Sequence, residues 1–369
     1  MKKVLFFINT LGGGGAERVL VNLVNNLDRS KFDITVKTLF DVGVNRNYLN
    51  SNVKYESIFK WVFRGNSQIL KLLPPSLLFS IMIKNEYDII VAYLQGVPTR
   101  IVGGYSGKDT RLIAWLHSDM RKFPMKSCFW SDRELLTCLE QYDAIVGVSK
   151  TVIDSFSEVT GIRNKLYVKY NINDVKNIQS SSEEPVEEGI FQKNQVNVCT
   201  VGRLVREKGF DRLLRVHKRL IDSGHMHTLY IFGDGAGDSA LREFIVENNI
   251  QDTVHLMGFK KNPYKYMKQC DLFVCSSRYE GLSTAVSEAI ILGLPVVTTR
   301  CSGMTEILGE NNEYGLIVEN DEASLHEGML TLLKDKKLLE YYREKSNERK
   351  SFFSIEKTVR EVEELLEGV

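Results

Sequence analysis

The chain has 369 residues, of which 43% are hydrophobic and 26% charged. That balance excludes a disordered or fibrous chain, and at roughly 100–200 residues per domain it leaves room for two or three domains, each with its own core. The net charge of +1 hides an asymmetry: residues 1–175 hold 23 Lys and Arg against 16 Asp and Glu, and the remainder 25 against 31, so the first half is the better match for an anionic partner.

In chain order, MKKVLFFI has too short an apolar run for a signal peptide, whose core needs about 7–15 apolar residues, and reads as a buried strand. Four glycines, 12–15, follow, and then AERVLVNLVNNL, where Val19, Leu20, Leu23, Val24 and Leu27 recur at helical spacing. Such a loop lets the backbone approach a ligand in front of a helix N-terminus. It is half of a dinucleotide fingerprint, with Glu17 where the third glycine belongs, and a tight structural turn explains it as well. DITVKTL, YDIIVAYL, RLIAWLH and YDAIVGVS read as further strands of a largely parallel α/β sheet. His117 closes one of them, where a polar group projects towards a ligand or serves as a satisfied structural histidine. Residues 57–85 contain no acid but carry Lys60, Arg64, Lys71 and Lys84 among apolar and aromatic residues. This suits the surface of an anionic bilayer, and equally a core helix pair broken at Pro74 and Pro75. No run reaches the roughly 18–20 apolar residues of a membrane span.

Between Val175 and Gln195 the sequence turns polar and rich in Ser and Glu, the best linker candidate. Alternation then restarts with VNVCTVG, TLYIFGDG, TVHLMG, DLFVCSS and PVVTT, and the chain ends in IEKTVREVEELLEG, with Val359, Val362, Leu365 and Leu366 on one helical side. Six cysteines without a Cys-x-x-Cys pair read as reduced thiols of a cytoplasmic protein. No metal motif, Walker loop or basic-aromatic nucleic-acid patch is present.

Two segments of this second unit carry chemistry. In VGRLVREKGFDRLL, Gly202 ends a strand and Arg203 and Lys208 follow in its loop. Two fixed cations there can neutralise a diphosphate, although a solvated turn reads the same. In SRYEGLSTAVSEAIILGLPVV, a helix starting near Leu282 offers the unpaired amides of Leu282, Ser283 and Thr284 to an anion. Glu280 precedes that helix and Glu288 lies within it, about 12 Å apart if the helix were continuous. With Glu280 folded back, both carboxylates can accept hydroxyls of one ligand; a capping acid and a solvated acid are the plain alternative.

Together, GGGGAERVL, GRLVREKGFDRLL, IFGDG, SRYEGLSTAVSEAIILGLPVVTT and GMTEIL resemble the family 4 retaining glycosyltransferases of the GT-B fold over nearly the whole chain. The resemblance implies two Rossmann-like domains facing across a cleft: an acceptor-binding domain over 1–178, a nucleotide-sugar-binding domain over 179–352, and a helix over 353–369 returning to the first. It implies that Glu280 contacts the donor sugar, Glu288 the ribose, Arg203 and Lys208 the diphosphate with the amides of 282–284, and Phe259 and Lys260 the base. Gly202 and Gly14 then border the nucleotide-sugar, Gly13 and Gly15 the acceptor side, and His117 the anomeric centre. It further implies a hexose or N-acetylhexosamine moved from a UDP-sugar to a lipid-linked or envelope oligosaccharide without metal or other cofactor, on the cytoplasmic face of the membrane. Here EGLST supplies Leu282, Ser283 and Thr284 where the family often has small residues and Phe-Gly, which leaves the sugar open. Other readings are an epimerase or soluble-acceptor synthase of the same fold, an NAD-dependent dehydrogenase using Asp41 after the second strand, and an inactive sugar-nucleotide-binding partner.

Overall fold

The structure is a computed structural model and describes residues 1–368. It contains two α/β units, Met1–Ile172 together with the residues from Glu356 onward, and Asn173–Ile355.

The first unit is built on β1 (Lys2–Ile8), β2 (Phe32–Phe40), β3 (Lys54–Phe59), β4 (Ile89–Ala92), β5 (Arg111–Leu116), β6 (Ala144–Gly147) and β7 (Leu166–Val168), in the order β3-β2-β1-β4-β5-β6-β7. Every pairing is parallel. Parallel strands are covered on both faces, so the central ones are apolar throughout rather than alternating; in β1 all residues from Val4 to Ile8 are buried. The helix Gly15–Asn26 turns Val19, Leu20, Leu23 and Val24 onto the sheet, the stripe its spacing implies.

The helix Ile355–Gly368 belongs to this unit and buries Val359, Val362, Leu365 and Leu366. Its C-terminal carbonyls would otherwise lack donors. Lys2 Nζ donates to Glu367 O at 3.1 Å and Arg111 Nη2 to Leu365 O at 3.0 Å, a cationic cap that also suits the negative end of the helix dipole.

The second unit contains β8 (Val196–Val201), β9 (His227–Phe232), β10 (Val254–Gly258), β11 (Leu272–Cys275), β12 (Val296–Thr299) and β13 (Leu316–Val318), ordered β10-β9-β8-β11-β12-β13. Its core brings Leu213, Leu214, Val216 and Leu220 of the helix Phe210–Asp222 against Val198, Leu229 and Leu272 of the sheet and Leu325 and Met329 of the helix Glu322–Lys334.

The division between the units differs from the expected boundaries. The polar stretch taken for a linker opens with a helix, Val175–Ser182, whose first turn is capped by Asp174 accepting the Asn177 N–H at 3.1 Å and which buries Ile178. The second unit therefore starts at Asn173 rather than 179. Its end lies beyond 352 because the turn Lys350–Phe353 packs on the helices Thr284–Ile291 and Lys336–Arg349. Capping and a single buried face suffice for a short helix here, and neither shows in a composition shift. All six cysteines are free thiols, four of them buried. No helix among the described residues is long and apolar enough to cross a membrane.

Candidate nucleotide-sugar site

In each sheet the strand order reverses once, between β1 and β4 and between β8 and β11. Loops leaving neighbouring strands in opposite directions open a crevice at the carboxyl ends, the usual ligand position in such sheets. In the second unit the loop after β8 and the turn after β11 border this crevice, and they carry the residues singled out above.

After β8, Gly202 donates its N–H to Phe232 O at 3.0 Å, and a short turn, Arg206–Lys208, ends at Gly209 with φ of 68°. A Cβ at Gly209 would lie 2.1 Å from Ser276 O, so this glycine lets the two loops meet. Lys208 Nζ reaches Glu280 Oε1 at 2.6 Å, the side chains being 24% and 10% exposed. Ser277 Oγ donates to the same oxygen at 2.6 Å. Burial opposes the charge on Lys208, but Glu280 beside it prevails and the lysine pKa is raised, which keeps the ammonium charged at neutral pH. Arg203 is exposed, lies close enough to repel Lys208, and makes no ion pair among the described residues. One cation is thus free and the other held by an acid that a ligand can displace. The cavity enclosed by Thr200, Lys208, Phe210, Cys275, Ser277 and Glu280 is only about 10 Å³, room for about one water molecule, so a phosphate has to enter from the open side of the pair.

The helix after β11 is Thr284–Ile291, starting at Thr284 and not at Leu282. Ser283 is its cap: Ser283 Oγ accepts the Val286 N–H at 3.4 Å and Ser283 O the Ser287 N–H at 3.1 Å. The amides of Thr284 and Ala285 have no acceptor among the described residues. The Ser283 amide likewise has no acceptor among the described residues, so the open amides run from Ser283 to Ala285; the helix starts after Leu282 because the small hydroxyl of Ser283 caps better than the preceding leucine could, and Leu282 is buried. Glu288 sits on this helix, where Glu288 Oε1 accepts the Tyr264 hydroxyl at 3.0 Å. Tyr264 follows β10, as do Phe259 and Lys260. Phe259 is 58% exposed, an available stacking face, and Lys260 Nζ stands 5.4 Å from the Tyr266 ring centre.

In the first unit the glycine loop 12–15 is pinned by Gly43, whose φ of 130° and missing Cβ admit Leu11 O, and by Asn45, which donates to Gly12 O. The Glu17 carboxylate lies over Gly14, where an added Cβ would be 2.3 Å from Oε2. Asp41, after β2, accepts Arg46 at 2.7 Å and the Tyr55 hydroxyl at 2.9 Å. A dinucleotide would meet a negative charge at its pyrophosphate turn and an already paired acid at its ribose, which speaks against the dehydrogenase reading. His117 lies at the end of β5, its N–H donating to Gln95 Oε1 at 2.7 Å and its ring 4.8 Å from that of Tyr93. Its Nε2 is buried without a partner, and burial pushes its pKa down to about 3, so the ring is neutral at physiological pH.

Three contributors escaped the sequence reading. Ser277 opens SRYEGLSTAVSEAIILGLPVV, but a serine gives no sign of the carboxylate it will meet. Tyr264, which holds Glu288, opens the short helix Tyr264–Met267 after β10. Arg212 is 5% exposed and donates to Ser276 O at 2.8 Å and Ser277 O at 2.6 Å. Its neighbours in sequence do not mark it: Arg215, likewise beside Leu214 on this amphipathic helix, has its side chain 42% exposed.

Two parallel α/β units, the second with two cations and open helix amides at its switch point, define a two-domain protein of the GT-B class. Residues 13–176 match the family model Glycosyltransferase Family 4, and residues 181–349 match Glycosyl transferases group 1. The chain is 30% identical, over 100% of both proteins, to N-acetylgalactosamine-N,N'-diacetylbacillosaminyl-diphospho-undecaprenol 4-alpha-N-acetylgalactosaminyltransferase of Campylobacter jejuni. It shares its fold with HepE of Anabaena in complex with UDP, at TM-score 0.79, 18% identity and 100% coverage of both chains. Sucrose-phosphate synthase of Thermosynechococcus elongatus follows at TM-score 0.78 and 16% identity, covering 99% of this chain and 98% of that one. The chain belongs to the group 1, family 4 glycosyltransferases.

Proposed function

We propose that the protein is a retaining, metal-independent glycosyltransferase that moves a hexose or N-acetylhexosamine from a UDP-sugar to a lipid-linked or envelope oligosaccharide, the first unit binding acceptor and the second the donor. The observation that carries the reading is Lys208 and Arg203 at the switch point beside Glu280, one cation free and the other in a displaceable ion pair. UDP in HepE and the diphospho-undecaprenol in the Campylobacter relative's name support the donor and acceptor classes.

Cleaving the bond between the sugar C1 and the β-phosphate oxygen sends its electron pair to the diphosphate. Arg203, Lys208 and the amides of Thr284 and Ala285 would stabilise that negative charge as it grows. The acceptor hydroxyl attacks C1 from the same face and gives its proton to the departing phosphate oxygen, so configuration is kept. Glu280 orients the sugar through its hydroxyls and is not the nucleophile. Glu288 takes the ribose and Phe259 and Lys260 the base. His117, neutral and with Nε2 unpartnered, serves the sugar near C1, and Gly13 and Gly15 the acceptor.

The membrane part rests on the acid-free stretch. It forms two short helices, Asn66–Lys71 and Pro75–Met82, that bury Leu70, Leu78 and Met82 and expose Ile69, Leu72, Leu77 and Ile81, with Trp61 69% exposed beside them. Lys60, Arg64 and Lys84 are exposed as well. Buried Arg100 fixes this ridge, donating to Leu70 O at 3.0 Å and Leu73 O at 2.8 Å and pairing with Glu134 at 2.8 Å. An apolar ridge rimmed by cations suits the cytoplasmic face of an anionic membrane.

The test is a panel of nucleotide-sugars screened for thermal stabilisation, followed by transfer to a polyprenyl-diphosphate-linked saccharide with and without EDTA. UDP-sugars should stabilise, transfer should require acceptor and survive chelation, and NMR of the product should show the donor's anomeric configuration. Turnover of UDP-sugar to an epimer without acceptor, or an inverted product, refutes the reading. Sedimentation with anionic but not neutral liposomes at low salt tests the membrane part, and indifference to lipid charge removes it.

A further inference from the structure

The two halves of the site come from loops far apart in the chain, and one buried side chain ties them together. Arg212 stands in the first turn of the helix Phe210–Asp222, directly after the loop that carries Lys208. No carboxylate among the described residues pairs with it. Its guanidinium instead donates Nε to Ser276 O at 2.8 Å, Nη2 to Ser277 O at 2.6 Å and to Thr299 Oγ1 at 3.2 Å, and Nη1 to Asn320 O at 3.4 Å. These acceptors lie at or just beyond the ends of three neighbouring strands, β11, β12 and β13. Burying a charge among apolar neighbours costs several kcal/mol unless its hydrogen bonds are well made, and a leucine would fill a purely structural position without that cost. The planar fork of arginine, in contrast, can fix two successive carbonyls at once.

Those carbonyls belong to the turn that leads to Glu280. Ser277 O also accepts Thr299 Oγ1 at 2.6 Å and Cys301 Sγ at 3.1 Å, and Ser277 Oγ donates to the Glu280 carboxylate at 2.6 Å. Ser276 Oγ donates back to Lys208 O at 2.9 Å. A line of contacts thus runs from Arg212 through Ser276 and Ser277 to both members of the Lys208–Glu280 pair.

We propose that Arg212 is a positioning residue for transfer: it holds the Ser276–Glu280 turn in register with the Lys208 loop, and so sets where Glu280 meets the sugar, without itself touching substrate. This rests on the glycosyltransferase reading above. Orientation errors of about 1 Å at a reacting centre cost around 10²-fold in rate, whereas ground-state binding of the nucleotide depends on groups that Arg212 does not touch. The effect should therefore fall on kcat.

The experiment measures initial rates for wild type, Arg212→Lys, Glu280→Gln and the double variant, with melting temperatures alongside. Arg212→Lys keeps the charge but loses the fork; kcat should drop by ~10–100-fold while KM for the UDP-sugar changes by less than ~3-fold. Because Arg212 acts through Glu280, the double variant should be no more than ~3-fold slower than Glu280→Gln alone. Multiplying losses, or an Arg212→Lys enzyme with unchanged kcat, overturn the positioning role. Should Arg212→Lys fail to fold, Thr299→Val removes one donor to Ser277 O and one acceptor of Arg212; it should lower kcat by ~3–10-fold at unchanged KM, and a normal kcat there overturns the role equally. A wild-type protein that transfers nothing from any nucleotide-sugar overturns the function and this role together, which separates the two failures.

Discussion

Lys208→Ala and Glu280→Gln should move diphosphate binding in opposite directions although both abolish most turnover. The two side chains form one ion pair at 2.6 Å, partly open to solvent. Such pairs are worth up to about 1 kcal/mol. Glutamine at 280 keeps the shape and an acceptor for Ser277 but releases the ammonium, so UDP should bind up to ~5-fold more tightly. Alanine at 208 instead removes a charged hydrogen bond to the phosphates, about 1.5–3 kcal/mol, and should weaken UDP by ~10–150-fold. Turnover should fall at least ~10²-fold in each, the loss typical of a group that stabilises or orients developing charge. Calorimetric titration with UDP and initial-rate measurements read the two effects separately. Equal weakening of UDP in both variants, or near-normal transfer by both, refutes the reasoning that the pair gates the phosphate site.

The second unit should be acid-sensitive. His217 Nδ1 lies 2.9 Å from His227 Nε2, His217 Nε2 2.9 Å from Thr253 Oγ1, and His227 Nδ1 2.9 Å from His225 O, a chain that two neutral rings satisfy and a further proton disrupts. Burial pushes His217 down to about 2 and His227 to about 4, so below pH ~6.5 the unfolded chain binds more protons and stability present at pH 7 is lost as the pH falls towards these values. About 2 kcal/mol for each histidine should be gone by pH 5; urea denaturation of equal midpoint at pH 7 and pH 5 would contradict this. Gly209→Ala forces a Cβ onto Ser276 O at a φ of 68° and should cost at least ~1–3 kcal/mol, read as a lower melting temperature and a slower enzyme; an unchanged one would mean that the two loops are not held this closely. Arg111→Ala leaves the carbonyl of Leu365 without its donor and should destabilise the first unit by about 1–3 kcal/mol, measurable by thermal melting; a surface-like effect under ~0.5 kcal/mol would show the C-terminal helix to be loosely held.

Much of the architecture was legible because the central strands and main helices carry their period within a few residues. VLFFI, YDIIVAYL and DLFVCSS are apolar because both sheet faces are covered, and the stripe of AERVLVNLVNNL matches the face the helix buries. Of the four edge strands only β10, read as TVHLMG, was legible. The β3 sequence KYESIF has no fully buried residue, and β7 and β13 are three residues each; at an edge one flank meets solvent, so the hydrophobic signal is diluted. The helix hidden in the supposed linker escaped for the same reason, being mostly serine and polar with Ile178 as its one large buried side chain.

For the site, residue types and short spacings in the sequence determined that Gly202, Arg203 and Lys208 would share a loop, and that Glu280 would precede a helix bearing Glu288. Only the tertiary structure decided that Lys208 meets Glu280 across 72 residues of sequence, that Tyr264 holds Glu288, and that Arg212 spends its charge on three carbonyls and a hydroxyl at the ends of three different strands. The physical reason is one of range. Periodicity, capping and turn propensity act over one or two helical turns, whereas the order of strands in a sheet, which brings the β8 loop beside the β11 turn, is settled by burying apolar faces over the whole unit.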